Sequence, residues 1–189
     1  MTPDVQTEDG TRRMTLEAYA DTIIPGEKRG PGDRAVAGAA AGPGAVAAGA
    51  LELLETPAAG LVSGLDDLVR MLNDHARTHA EIVGEALDPE VPPFVALPFA
   101  ERTALVQALL APGHPEKDVW VSLALFSNMA FDTAAHLPTL EALDAGHPGL
   151  AVMGLAQPDS DGLWRFPQFS YGRRLAEIHP RTTPSGSPE

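Results

Sequence analysis

Residues 58–86, AAGLVSGLDDLVRMLNDHARTHAEIVGEA, decide how the rest of the chain must be arranged. Wound on the helical repeat of about 3.6 residues per turn, Leu61, Leu65, Leu68, Val69, Leu72, Ala76, His79, Val83 and Leu87 line one side. Asp66, Arg70, Asp74, Arg77, Glu81 and Glu85 line the other. An apolar stripe of that width is unstable in water, so other elements must pack over it. The stretch predicts a long amphipathic helix at the centre of a helical bundle. It does not by itself spell out an active site.

Working outward, residues 1–13 are polar and acidic and read as a loose N-terminal arm. Thr15 is an N-cap for a helix over 16–24, with Leu16, Tyr19, Ala20 and Ile23 inward and Pro25-Gly26 ending it. The following EKRGPGDRAVAGAAAGPG is so rich in Gly and Ala that it reads as a flexible, closely packed segment. A second helix is expected over 45–55. Beyond Leu87, DPEVPPFVALP is punctuated by proline and must be extended.

Pro98 then opens a helix over 99–110, with Leu105, Val106 and Leu109 apolar. The helix EKDVWVSLALFSNMAFDTAAHL turns Trp120, Leu123, Phe126, Ser127, Ala130 and Ala134 to one side. It is apolar nearly all round between Val119 and Phe131, which predicts the most buried element of the fold. A short helix over 138–145 stops at Gly146. The expected architecture is all-α: a compact bundle of about five to six helices over 14–146, an extended Gly/Pro/aromatic segment over 147–180 and a disordered end over 181–189.

Composition narrows the function. With 189 residues the chain has enough length for one well-packed core. Thirteen basic against twenty-six acidic residues argue against nucleic acid or an anionic membrane surface as partner. The charge is uneven: residues 1–161 hold 9 basic and 24 acidic groups, and residues 162–189 hold 4 and 2. The absence of cysteine excludes disulfides, thiolate metal sites and cysteine nucleophiles. No apolar run approaches the roughly 20 residues of a membrane span. Arg12-Arg13 is followed by Glu17 and Asp21 where an export signal needs an uncharged core, so the pair reads as part of a helix start and a cytoplasmic location is expected.

Few residues suggest chemistry. His75 and His79 stand one turn apart on the central helix, a spacing able to hold a metal. However, Ala76 occupies the place where a zincin has glutamate, and packing is the simpler role. Asp132 and His136 repeat the spacing, without the four inward carboxylates of a di-iron bundle. The glycines of 30–49 form no dinucleotide cradle, and no serine sits in a nucleophile elbow. The tail differs. Trp164, Arg165, Phe166, Phe169, Tyr171, Arg173 and Arg174 interleave aromatic and guanidinium groups, the composition of a protein interface. The same aromatics would equally serve to cover the helical core.

LEAYADTIIPG, followed after a Gly-rich spacer by PGAVAAGALELLE, resembles the opening of the gluconate 2-dehydrogenase subunit 3 family. Leu16, Asp21, Ile23, Ile24, Pro25, Gly44 and Ala45 carry the resemblance, and PFAERTALVQALL and HPGLAVMGLAQP resemble later segments more loosely. The resemblance implies a non-catalytic helical subunit bound to a large flavoprotein of the glucose–methanol–choline oxidoreductase type. That partner would hold FAD and oxidise a sugar or other alcohol, while the small subunit assists folding and flavin loading. The family often carries a twin-arginine export signal, and none is expected in this sequence. No cofactor or catalytic residue is expected on this chain. A different class stays open beside it: a stand-alone helical metal enzyme, or a small-molecule-binding protein, using His75 and His79.

Overall fold

The computed structural model describes residues 3–155, 157, 180 and 181, and the chain divides into two units, 1–155 and 156–189. The aromatic and arginine cluster from Trp164 to Arg174 lies outside the described residues. The described residues form eight α-helices and no strand, so the chain is all-α. These are α1 (Pro3–Ile23), α2 (Ala50–Leu54), α3 (Leu65–Val83), α4 (Pro93–Ala96), α5 (Phe99–Leu109), α6 (Lys117–Thr133), α7 (Thr139–Asp144) and α8 (Pro148–Val152). Single 3-10 turns at Pro57–Ala59 and Val62–Gly64 lead into α3. Among the described residues no helix is long and apolar enough to cross a membrane.

The first correction concerns α1. The sequence suggests a loose arm up to residue 13, but the helix begins at Pro3. No proline interrupts the chain between Pro3 and Pro25. Arg12 fixes the early turns by bonding Asp9 at 3.1 Å and Glu55, just past α2, at 3.0 Å. Residues 15–21 of α1 are buried on all sides, and α1 touches α2, α3, α4, α5 and α6. Thr15, Glu17 and Asp21 are buried there alongside Leu16, Ala18, Tyr19 and Ala20. Polar groups survive in such a place only with partners. The organising role expected of α3 alone is therefore shared with α1.

The central amphipathic stretch is helical only from Leu65, because Gly60 turns left-handed (φ +70°) and breaks the run. Gly84, also left-handed, ends α3. Within these limits the expected stripe holds: Leu65, Val69, Leu72 and Ala76 are buried, and the five polar residues opposite, Asp66, Arg70, Asp74, Arg77 and Glu81, are exposed. Val83 is exposed instead of inward, since the last turn runs past its neighbours. Asn73, which the stripe does not include, is buried. Its amide donates to Thr15 Oγ1 at 3.2 Å and to the Val69 carbonyl at 3.0 Å, and its oxygen accepts the Phe94 N–H at 3.0 Å. One side chain thus ties α1, α3 and α4 together.

At the core, Tyr19 packs against Phe94 and Trp120, with ring centroids 6.4 and 6.1 Å away. Tyr19 Oη donates to the Trp120 carbonyl at 2.7 Å, and burial pushes its phenol above the ordinary value. Pro98 caps α5 as expected, whereas residues 93–96 coil into α4 within a stretch expected to be extended. There Pro93 supplies the helical φ at the first position. The second helix is shorter than expected: residues 45–49 form turns, and Gly49 at φ +84° precedes α2.

α6 is the largest departure. Trp120, Leu123, Ser127, Ala130 and Ala134 are buried as expected, and Phe126 is half-buried. The opposite side, however, exposes Leu125 (55%) and Met129 (41%), and Val119, on the flank of the first turn, is 40% exposed. An all-round apolar sequence does not guarantee all-round burial; it requires neighbours on every side, and the described residues supply them on one.

Candidate functional site

Asp21, Ile24, Gly26, Gly44 and Ala45 meet at one joint, where α1 ends. Asp21, in the last turn, is 1% exposed. One carboxylate oxygen accepts the Gly26 N–H at 3.1 Å and the other accepts the Ala37 N–H at 2.8 Å. Burial pushes its pKa up, while these two N–H bonds and the Arg102 charge pull against the rise. Ala45 N donates to the Ile24 carbonyl at 2.9 Å, and Glu27 N to the Gly42 carbonyl at 2.8 Å, which lays 24–27 against 42–45. The two backbones are too close for side chains. A Cβ on Gly26 would lie 2.4 Å from Gly44 N, and one on Gly44 would lie 2.5 Å from the Ile24 oxygen. Asp21, Gly26 and Gly44 are used up in holding the Gly/Ala-rich segment.

Arg102 completes the joint from α5. Its guanidinium is buried and donates to four carbonyls: Leu97 at 3.0 Å, Ala35 at 2.7 Å, Arg34 at 3.3 Å and Val95 at 2.5 Å. Its signal was in the sequence, because Arg102 shares a stripe with Leu105, Val106 and Leu109. On the outer side, Arg29 clamps Glu17 through two bonds of 2.8 and 2.6 Å and reaches Asp33 at 2.7 Å. Burial pushes Asp33 up, but the Arg29 and backbone N–H bonds outweigh it and hold the carboxyl at about 2. The segment expected to be flexible is therefore fixed by Glu17, Asp21 and Arg102 from outside it and by its own Arg29 and Asp33.

His75 and His79 turn to different carboxylates. His75 Nε2 lies 2.7 Å from Glu116 Oε2, and His79 Nε2 lies 2.8 Å from Glu101 Oε2. Trp120 Nε1 donates to the same Glu116 oxygen at 3.0 Å. The His75 hydrogen bond holds the Glu116 carboxyl below its ordinary range, and the Trp120 bond adds to it. Neither glutamate is evident from sequence, since each comes from another helix region more than twenty residues away. Among the described residues no group of three His, Asp or Glu side chains gathers to hold a metal ion. The geometry links α3 to α5 and to the start of α6.

Asp132 and His136 do not share a helix face. α6 ends at Thr133, with Ala134 left-handed (φ +49°), so His136 leaves the helical register. Asp132 is exposed, whereas His136 is half-buried beside Gly49 and His147, its ring 5.8 Å from the latter. Burial lowers the His136 pKa, and His147 lowers it further. His147 itself caps α8, accepting the Leu150 N–H through Nδ1, with its Nε2 2.9 Å from the Ala48 carbonyl.

The chain belongs to a family of unknown function, DUF5987, which matches residues 10–189. No curated protein and no solved structure gives a match.

Proposed function

We propose that the chain is the non-catalytic small subunit of a cytoplasmic hetero-oligomer, in which it binds and stabilises a large FAD-dependent oxidoreductase of the glucose–methanol–choline type acting on sugars or other alcohols. The observation that carries this reading is that Asp21, Pro25, Gly44 and Ala45, through which the chain resembles the gluconate 2-dehydrogenase subunit 3 family, belong to one stapled joint. Those residues support a scaffold, with their polar groups engaged by backbone N–H and carbonyl groups. The His75–Glu116 and His79–Glu101 pairs fit the same role, because each joins separate helices.

The chain's part is to offer the partner a preformed surface and to hold it folded while FAD binds there. The excess of acidic groups suits a protein partner with basic patches and disfavours nucleic acid. Producing the large flavoprotein of the source organism with and without this chain tests the reading. With the chain, soluble yield and FAD occupancy should rise severalfold; equal yield and occupancy in both would refute it.

A further inference from the structure

The exposed side of α6 has a pattern of its own. Asp118, Ser122, Leu125, Met129 and Asp132 follow one another at helical spacing, opposite the buried Trp120, Leu123, Ser127 and Ala130. The middle of this line is apolar and solvent-facing, and a carboxylate stands at each end. Beside its first turn a groove of about 470 Å³ runs between residues 60–68 and α6. Leu61, Leu68 and Val119 supply its apolar lining, and Asp67 and Asp118 stand among the same residues. Arg70 pairs with Asp67 and offsets it, whereas Asp118 keeps its charge uncompensated, since Lys117 projects about 100° around the helix from it.

We propose that this groove and the Leu125–Met129 line form one docking surface, which seats an apolar segment of a partner protein that carries Lys or Arg at both ends. The proposal rests on the reading that the chain works bound to another protein, and adds where and by what chemistry. Asp118 and Asp132 are fourteen residues apart, about 21 Å along the helix, which sets the span between the partner's basic groups. Buried apolar contact supplies attraction, and the end charges fix direction and exclude wrong partners. A second copy of this chain is disfavoured by the same charges. Antiparallel pairing sets Asp118 against the other copy's Asp132, and parallel pairing sets each aspartate against itself.

The test places the photo-crosslinking residue benzoylphenylalanine at Leu125 of the full chain, in cells of the source organism, and sequences the peptide captured. A control chain carries it at Glu81, on the exposed side of α3. Position 125 should capture a peptide of another protein with two or more large apolar residues bracketed by Lys or Arg. The Asp118→Lys/Asp132→Lys chain should lower that capture at least tenfold while melting at the same temperature. No capture at 125, capture of this chain or of lipid, a peptide without the basic residues, or undiminished capture by the double variant overturns the proposal. The two readings separate cleanly. A fitting peptide from a protein without flavin leaves the surface standing and removes the flavoprotein, whereas a flavoprotein captured from position 81 alone does the reverse.

Discussion

The Asp21 carboxylate, at the end of α1, accepts the backbone N–H of Ala37 at 2.8 Å across sixteen residues of Gly/Ala-rich chain. Together with the Gly26 N–H it turns a segment of weak intrinsic preference into a fixed part of the fold. Asp21→Ala removes the acceptor and leaves two donors without partners. Each orphaned donor costs roughly 1–3 kcal/mol. Denaturant unfolding should show that loss, and proteolysis between residues 27 and 44 should accelerate.

Gly44→Ala should be costly for a different reason. The new methyl would lie 2.5 Å from the Ile24 oxygen and 2.6 Å from Gly26 N, backbone atoms that cannot swing away. Overpacking of this kind costs about 1–3 kcal/mol. Gly30→Ala, with nothing within 4 Å of the added carbon, should stay within about 0.5 kcal/mol of the parent. Equal thermal melts for the two variants would contradict the close approach.

α3 should behave as a two-sided helix. Leu72 is 1% exposed, and Leu72→Ala should cost roughly 2–5 kcal/mol. Glu81→Ala, on the exposed side, should change stability by less than about 0.5 kcal/mol. Leu68, which is only half-buried, should fall between them. Urea titrations of the three variants check the order.

Acid should loosen the segment around Asp33. Its folded pKa of about 2 lies below the ordinary 3.8, so its contribution is present above the unfolded value and is lost as pH falls through about 4 to 2. Glu116, held below the ordinary 4.5, acts in the same direction. Melting temperature should drop across this window, and Asp33→Asn should flatten part of the drop. An unchanged slope in that variant would show that the Asp33 carboxylate contributes nothing.

These features differ in how far the sequence reveals them. Periodicity and punctuation are local, so the polar side of α3, the Pro98 start of α5 and the Gly146 stop after α7 were all legible. Bonds between distant segments leave no local period. Asn73 to Phe94, Asp21 to Ala37 and Arg102 to Ala35 were therefore invisible, although Arg102 on an apolar stripe was a hint. The outer side of α6 misled for a related reason. Hydrophobicity reports what a residue prefers, whereas burial depends on what else is there.

The tail enters through the proposed function. Trp164, with Arg165, Phe166, Phe169, Tyr171, Arg173 and Arg174, is the sequence's candidate for contact with the flavoprotein. Trp164→Ala should weaken the complex by about 2 kcal/mol or more, the level of an interface hot spot. The isolated chain should melt as before. An early melt with normal binding would assign the aromatics to this chain's own core.

The most direct measurement is the flavin and metal content, with alcohol-oxidising activity, of the purified chain alone and of whatever complex it forms in the source organism. The account predicts a colourless, metal-free, inactive chain, and a stoichiometric complex whose large subunit carries the flavin and the activity. A lone chain that binds flavin or one equivalent of metal and turns over an alcohol with an artificial electron acceptor would contradict it.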